Sequence, residues 1–225
     1  MKKHLEITIR QIINQKILSF DERQACLMNE RLLKETALII IDVQKAIDNP
    51  VWFQYGARNN LNAENNMTEI LNLWRKSGQP IFHVKHESNE LNSTYRPGQA
   101  GCNFKECVAP LEGEHIIVKH VNSAFIGTGL ESMLKKLNVS CVVIFGVITN
   151  NSVDASVRMS GNLGFITYLV EDACFTYAKP DFCGCVRTAD EVHAMTLSNL
   201  DNEYCQVIST YNLKKILTGN TTKIP

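Results

Sequence analysis

The chain has 225 residues, 44% of them hydrophobic and 20% charged, enough for one folded domain with its own core. Lys+Arg and Asp+Glu both number 23, so the formal net charge is zero, which argues against nucleic acid or an anionic membrane as the main partner. No apolar run reaches the length of a membrane span, and Met1 to Arg10 shows neither the apolar stretch nor the cleavage site of a secretory signal, so a cytoplasmic protein is expected.

Residues 1–34 read as an N-terminal helical extension. Ile9, Ile12, Ile13, Ile17 and Leu18 recur at near-helical spacing, and a second helical pattern runs from Asp21 to Leu32. The main domain spans 35–225. Its first strand is the apolar run from Ala37 that ends in Asp42. A helix from Leu61 to Lys76 stops at Gly78, and Pro80 to Val84 is a second strand. Glu87 to Glu112 is polar and rich in Gly, Pro, Asn and Ser, the composition of a long loop that covers an active site. His115 to Val118 is a third strand, followed by a helix from Thr128 to Leu137. Val142 to Phe145 is a fourth strand, with a helix from Ser152 to Leu163. Phe165 to Val170, a helix from Thr188 to Leu200, a strand from Cys205 to Ile208 and a closing helix from Leu213 to Leu217 complete the pattern. Strands this apolar are buried on both faces, as in parallel sheets flanked by helices.

The cysteines, Cys26, Cys102, Cys107, Cys141, Cys174, Cys183, Cys185 and Cys205, are scattered and several fall in apolar runs. They read as free thiols in a reducing compartment. The Cys183-Gly-Cys185 pair has no second pair at zinc-finger spacing.

Three polar residues stand just beyond apolar strands: Asp42, Lys119 and Ser152. In a parallel sheet the carboxyl ends of the strands share one edge, where ligands bind. An acid, a lysine and a hydroxyl or thiol that meet there suit nucleophilic hydrolysis. Taken singly, the same residues read as a turn cap, a surface lysine and a helix N-cap.

Longer motifs surround each of them. Asp42-Val-Gln44 resembles the D-x-Q element of the isochorismatase-like cysteine hydrolases. The run from Lys119 to Thr128 resembles their K-x-x-x-S-A-F-x-G-T element, and Gly146 to Val153 their G-x-x-T-N-x-C-V element. Glu171-Asp-Ala-Cys174 fits the D-A pair after the next strand. Arg58-Asn-Asn60, Pro97-Gly-Gln99 and Ala189-Asp-Glu-Val-His193 fit bacterial members. The resemblance covers about residues 36 to 217.

The resemblance implies a three-layer αβα fold with a six-stranded, mostly parallel Rossmann-like sheet. It implies Asp42 as general base, Lys119 as its partner and position 152 as nucleophile. It also implies a cis peptide between Val147 and Ile148, with the backbone N–H groups of Ile148 and Ser152 forming an oxyanion hole. A homo-oligomer, dimer or tetramer, is expected from the resemblance and from the extra N-terminal helices.

The family has Cys where this chain has Ser152. A hydroxyl is a far weaker acid than a thiol of pKa ~8.5, so thiol-type acyl transfer should be severely slowed. Three explanations stand: an introduced Cys→Ser change, a natural departure toward vinyl ether cleavage with the aspartate as acid, or a non-catalytic protein that only binds. No metal or other cofactor is expected. The nicotinamidases of the superfamily use a D-x-H element, and Asp42 is followed by no such His. His83 and His86 lack the further ligands a metal needs, and read instead as one His in the strand and one at its end bonded to backbone. Trp52, Tyr55, Asn60, Phe125 and Asn151 are the candidate wall of a pocket for a small planar amide, ureide or carboxylate.

Overall fold

The computed structural model describes residues 35–217, so the N-terminal extension expected over 1–34 lies outside the described residues. The elements follow one another as β1 (Thr36–Ile41), α1 (Ala63–Ser77), β2 (Ile81–His86), β3 (His115–Lys119), α2 (Leu130–Lys136), β4 (Cys141–Val147), α3 (Asp154–Asn162), β5 (Ile166–Phe175), the short pair β6 (Lys179–Pro180) and β7 (Val186–Arg187), α4 (Ala189–Leu200), β8 (Gln206–Ile208) and α5 (Thr210–Leu217).

Six strands form one sheet in the order β3-β2-β1-β4-β5-β8. Every neighbouring pair in it is parallel. Residues of β1 and β4 are buried throughout, which is why both read as continuous apolar runs. Helices α1 and α5 pack together, as do α3 and α4, and both pairs touch β5, giving the layers of an αβα fold. Met67, Ile70, Leu71 and Trp74 of α1 face the core at helical spacing. That helix ends at Gly78, whose φ of 70° closes it in the left-handed region. A capping box joins Thr188 and Glu191 at the start of α4.

The chain runs from β1 outward through β2 and β3, then crosses back to β4 on the other side of β1. The order therefore reverses between β1 and β4, and a crevice opens at their carboxyl ends. Gly146 is needed for that approach. It has φ of 146°, and a Cβ on it would lie 2.1 Å from the carbonyl oxygen of Ile41. The peptide between Val147 and Ile148 is cis.

Four local differences separate this architecture from the sequence pattern. Strand β5 continues to Phe175 instead of ending at Val170, because its register with β4 shifts between Ile144 and Gly146 and carries Glu171 and Asp172 along the edge. The β6–β7 hairpin has strands of two residues, too short to leave a pattern. The segment after β4 begins as a π turn over Thr149–Val153 before α3 starts at Asp154. Helix α5 starts at Thr210, ahead of its first apolar anchor, Leu213.

Candidate active site

Lys119 is the last residue of β3. Strand alternation turns Ile117 and Lys119 inward and leaves Ile116 and Val118 exposed. Lys119 is almost wholly enclosed, at 1% exposure. Its Nζ donates to Oδ2 of Asp42 at 2.7 Å, to the backbone oxygen of Val121 at 3.1 Å and to Oγ of Ser152 at 3.2 Å. Those three bonds use all its protons. Nδ1 of His86 stands 3.4 Å away as a competing acceptor.

Asp42 follows β1 with φ of 53°, and its side chain is buried. Oδ1 accepts no hydrogen bond from the described residues, so this oxygen is open to receive a proton. Burial raises the Asp42 pKa above its ordinary value, while the charge and hydrogen bond of Lys119, and then the Ser152 hydroxyl, pull it back. The net effect is a carboxyl more basic than a solvated one. Ser152 lies in the π turn. Its carbonyl accepts from Ser156 Oγ at 2.7 Å, and that same oxygen accepts the backbone N–H of Ala124 at 3.0 Å. Ser156 thus ties the turn to the loop that follows Lys119.

Gln44 clasps the other side. Fully buried, it donates from Nε2 to the carbonyls of His86 at 3.0 Å and Cys102 at 2.8 Å, and it accepts the His86 N–H at 2.8 Å. The end of β1, the end of β2 and the long loop are held by one side chain.

A cavity of about 200 Å³ opens on this cluster. Asp42 and Ser152 line it, together with Ile148, Asn151 and Trp52. The remaining wall carries no signal of a pocket in the sequence: Ile47, His86, Asn122, and Ser88, Glu90, Ser93 and Tyr95 from the long loop. The loop itself carried the signal of an active-site cover, but single residues within it did not. Tyr95 stands edge-on between Trp52 and His86, at 6.1 and 5.7 Å between ring centres. Burial, then the charges of Lys119 and His120, push His86 down to about 4, so its ring is neutral near pH 7.

Two expected wall residues lie elsewhere. Phe125 is buried in the core and stacks on Phe165 at 6.1 Å. Asn60 donates to the carbonyls of Glu171 and Cys174 and does not border the cavity. Tyr55 borders an adjoining cleft of about 470 Å³, which shares Trp52, Ile148 and Asn151 with the inner cavity.

His83 and His86 part company because residues three apart on a strand face opposite ways. His83 Nε2 meets Glu114 Oε2 at 2.7 Å, and the His86 ring borders the cavity, where bonding to backbone had been expected. Among the described residues no three His, Cys, Asp or Glu side chains gather as a metal site. Cys174 is fully buried, and burial pushes its thiol far above the usual thiol range. It is no substitute nucleophile.

Comparison with known proteins gives a consistent picture. The isochorismatase domain model matches residues 36–211. The isochorismatase family protein YrdC of Bacillus subtilis (strain 168) is 42% identical over 180 residues, covering 80% of this chain and 95% of its own. The crystal structure of an isochorismatase-family protein from Chromobacterium violaceum ATCC 12472 superposes with a TM-score of 0.79 at 49% identity, over 84% of this chain and 95% of that one. Nicotinamidase 3 of Arabidopsis thaliana is 24% identical over 200 residues, covering 83% of this chain and 91% of its own.

Proposed function

We propose, taking as premise that this chain belongs to the isochorismatase family and is a hydrolase, that it opens a C–N bond of a small amide or ureide. The observation that carries this reading is the Lys119 ammonium, which bonds at once to the Asp42 carboxylate and to the side chain at 152. Similarity to an enzyme named as a nicotinamidase supports the choice of amide.

Asp42 takes the proton from the group at 152 as that group attacks the carbonyl carbon. The N–H groups of Ile148 and Ser152 receive the developing oxyanion. Asp42 then protonates the leaving nitrogen; in the second half it takes a proton from the attacking water and returns it to the side chain at 152 as that group leaves the acyl carbon and the acid is released. Lys119 holds Asp42 in place and draws charge onto the attacking atom. Trp52 and Asn151 hold the flat substrate. The reaction needs no metal.

Ser152 slows this sequence, since Asp42 is a poor base for an alcohol. Ser152→Cys tested on a panel of simple amides is expected to raise hydrolysis by about a hundredfold or more. No gain, together with turnover of isochorismate by the Ser152 protein, would replace the amidase reading with vinyl ether cleavage. The raised pKa of Asp42 and its unbonded Oδ1 favour that second reading, because they suit a carboxylic acid that delivers a proton. Calorimetric binding of small amides with no turnover in either form would leave a binding protein.

A further inference from the structure

Three motifs take no part in that reaction: Arg58-Asn-Asn60, Glu171-Asp-Ala-Cys174 and Ala189-Asp-Glu-Val-His193. In the structure they meet behind the turn that carries Ser152. Asn60, held at φ of 44°, donates from Nδ2 to the carbonyl of Glu171 at 3.0 Å and to that of Cys174 at 2.7 Å. Both partners are acceptors only, so the orientation of the amide is fixed. The same Nδ2 stands 3.4 Å from Nε2 of His193. On the other side of the ring, Nδ1 of His193 lies 2.9 Å from Oγ1 of Thr149.

These contacts assign the tautomer. Asn60 spends both Nδ2 protons on the two carbonyls, and an amide nitrogen accepts no hydrogen bond, so a proton on Nε2 would face a group that cannot take it; the neutral ring therefore carries its proton on Nδ1 and donates it to Thr149. Burial lowers the His193 pKa, against the charge of Asp190, which keeps the ring in this neutral form. Thr149 is wholly buried and opens the π turn in which Ser152 is the fourth residue. A second thread starts one residue earlier in the same loop. Asn59 Oδ1 accepts the N–H of Thr176 at 2.8 Å, and the Thr176 hydroxyl donates to Asn150. Two successive residues of the turn are therefore held from one loop.

We propose that His193 is a positioning residue: with its proton on Nδ1 it holds Thr149, and through Thr149 the turn that presents position 152 to Asp42 and Lys119. This rests on the reading of 152 as the reacting position. A short turn of π geometry has few bonds of its own to fix it. Displacement of a reacting atom by about an ångström costs up to about a hundredfold in rate.

The test uses the thiol introduced by Ser152→Cys and needs no substrate. Its alkylation by iodoacetamide, followed across pH by peptide mass mapping, reports the pKa that Lys119 and Asp42 impose on it. His193→Phe in that background is expected to raise the midpoint of the pH–rate profile by about one unit. His193→Asn, which can return an N–H to Thr149, is expected to restore it. Cys174, whose carbonyl Asn60 holds, serves as the reporter of mere loosening and should stay unlabelled throughout. A midpoint that does not move, no recovery with Asn, or labelling of Cys174 in step with the shift would each overturn the proposal. If His193→Phe does not fold, Thr149→Val and Thr149→Ser ask the same question: the first should shift the midpoint and the second should not. An amide panel that shows no turnover would defeat the amidase reading and leave this result standing.

Discussion

At the scale of single residues, one buried ion pair sets the character of the site. Asp42 and Lys119 are both nearly inaccessible and pair at 2.7 Å, and the ammonium opposes the effect of burial on the Asp42 carboxyl. Lys119→Met would leave the Asp42 carboxylate buried and unpaired, a change that costs about 3 to 5 kcal/mol at pH 7. The double variant Asp42→Asn/Lys119→Met removes the orphaned charge, so urea unfolding should find it more stable than Lys119→Met alone. Equal stabilities would mean the pair carries no such burden. The rate should respond too. A base must be ionised, so hydrolysis by the Ser152→Cys protein rises with pH through the Asp42 pKa; removal of the ammonium, which opposes the effect of burial, should move that limb upward. Asp42, Lys119 and Ser152 were legible in the sequence because each lies at or after the end of an apolar run, and topology brings the strand ends together. The wall was less legible. Phe125 and Trp52 are both aromatic residues near a motif, and composition does not tell a ring packed on Phe165 from one that borders a cavity. Asn60 had the look of a substrate amide, but its donors are taken up by the backbone of β5.

At the scale of elements, the site depends on how closely β1 and β4 approach. Register pairs Ile41 with Gly146, and the next residues in each strand lead to Asp42 and to the reacting turn. Gly146→Ala would set a methyl group 2.1 Å from backbone, at a φ that L residues rarely adopt. Backbone does not yield as a flexible side chain does, so the loss should exceed about 3 kcal/mol. Gly78→Ala supplies the contrast. Its φ is also positive, but nothing lies within 4 Å, so only the left-handed cost of about 1–2 kcal/mol applies. Thermal melting of the two variants should separate them clearly; similar melting temperatures would mean that the close approach is not what demands glycine. Elements with a strong apolar run, β1 and β4 above all, could be read from the chain within a residue or two. Elements defined by tertiary fit could not. The second half of β5 carries Glu171 and Asp172, whose polarity breaks the pattern, although the strand persists through its register shift.

At the scale of the whole molecule, the cover loop must stay closed over the sheet edge, and Glu114 anchors its far end. Its carboxylate takes two bonds from Arg75 of α1, the N–H of Leu111 in the loop and a contact with His83 of β2. Burial alone would raise its pKa; the bonds from Arg75, Leu111 and His83 outweigh burial and bring it to about 2, from an ordinary 4.5. The folded carboxyl therefore binds a proton less tightly than the unfolded one. Between pH 4.5 and about 2 the unfolded chain holds more protons, and stability falls as pH falls through that window. The contribution, present in full above 4.5, is on the order of 3 kcal/mol. Asp42 works with the opposite sign: its raised pKa favours the folded state in acid, and that contribution is lost as pH rises through the folded value. The total acid profile mixes the two, so a difference between variants is needed. Glu114→Gln should be less stable than the parent at pH 7 by that order of magnitude, and the gap should close as pH approaches 2. Unfolding free energies measured across this range decide it. A gap that stays constant with pH would mean that Glu114 contributes by shape and hydrogen bonding, and that its charge is not what fastens the loop.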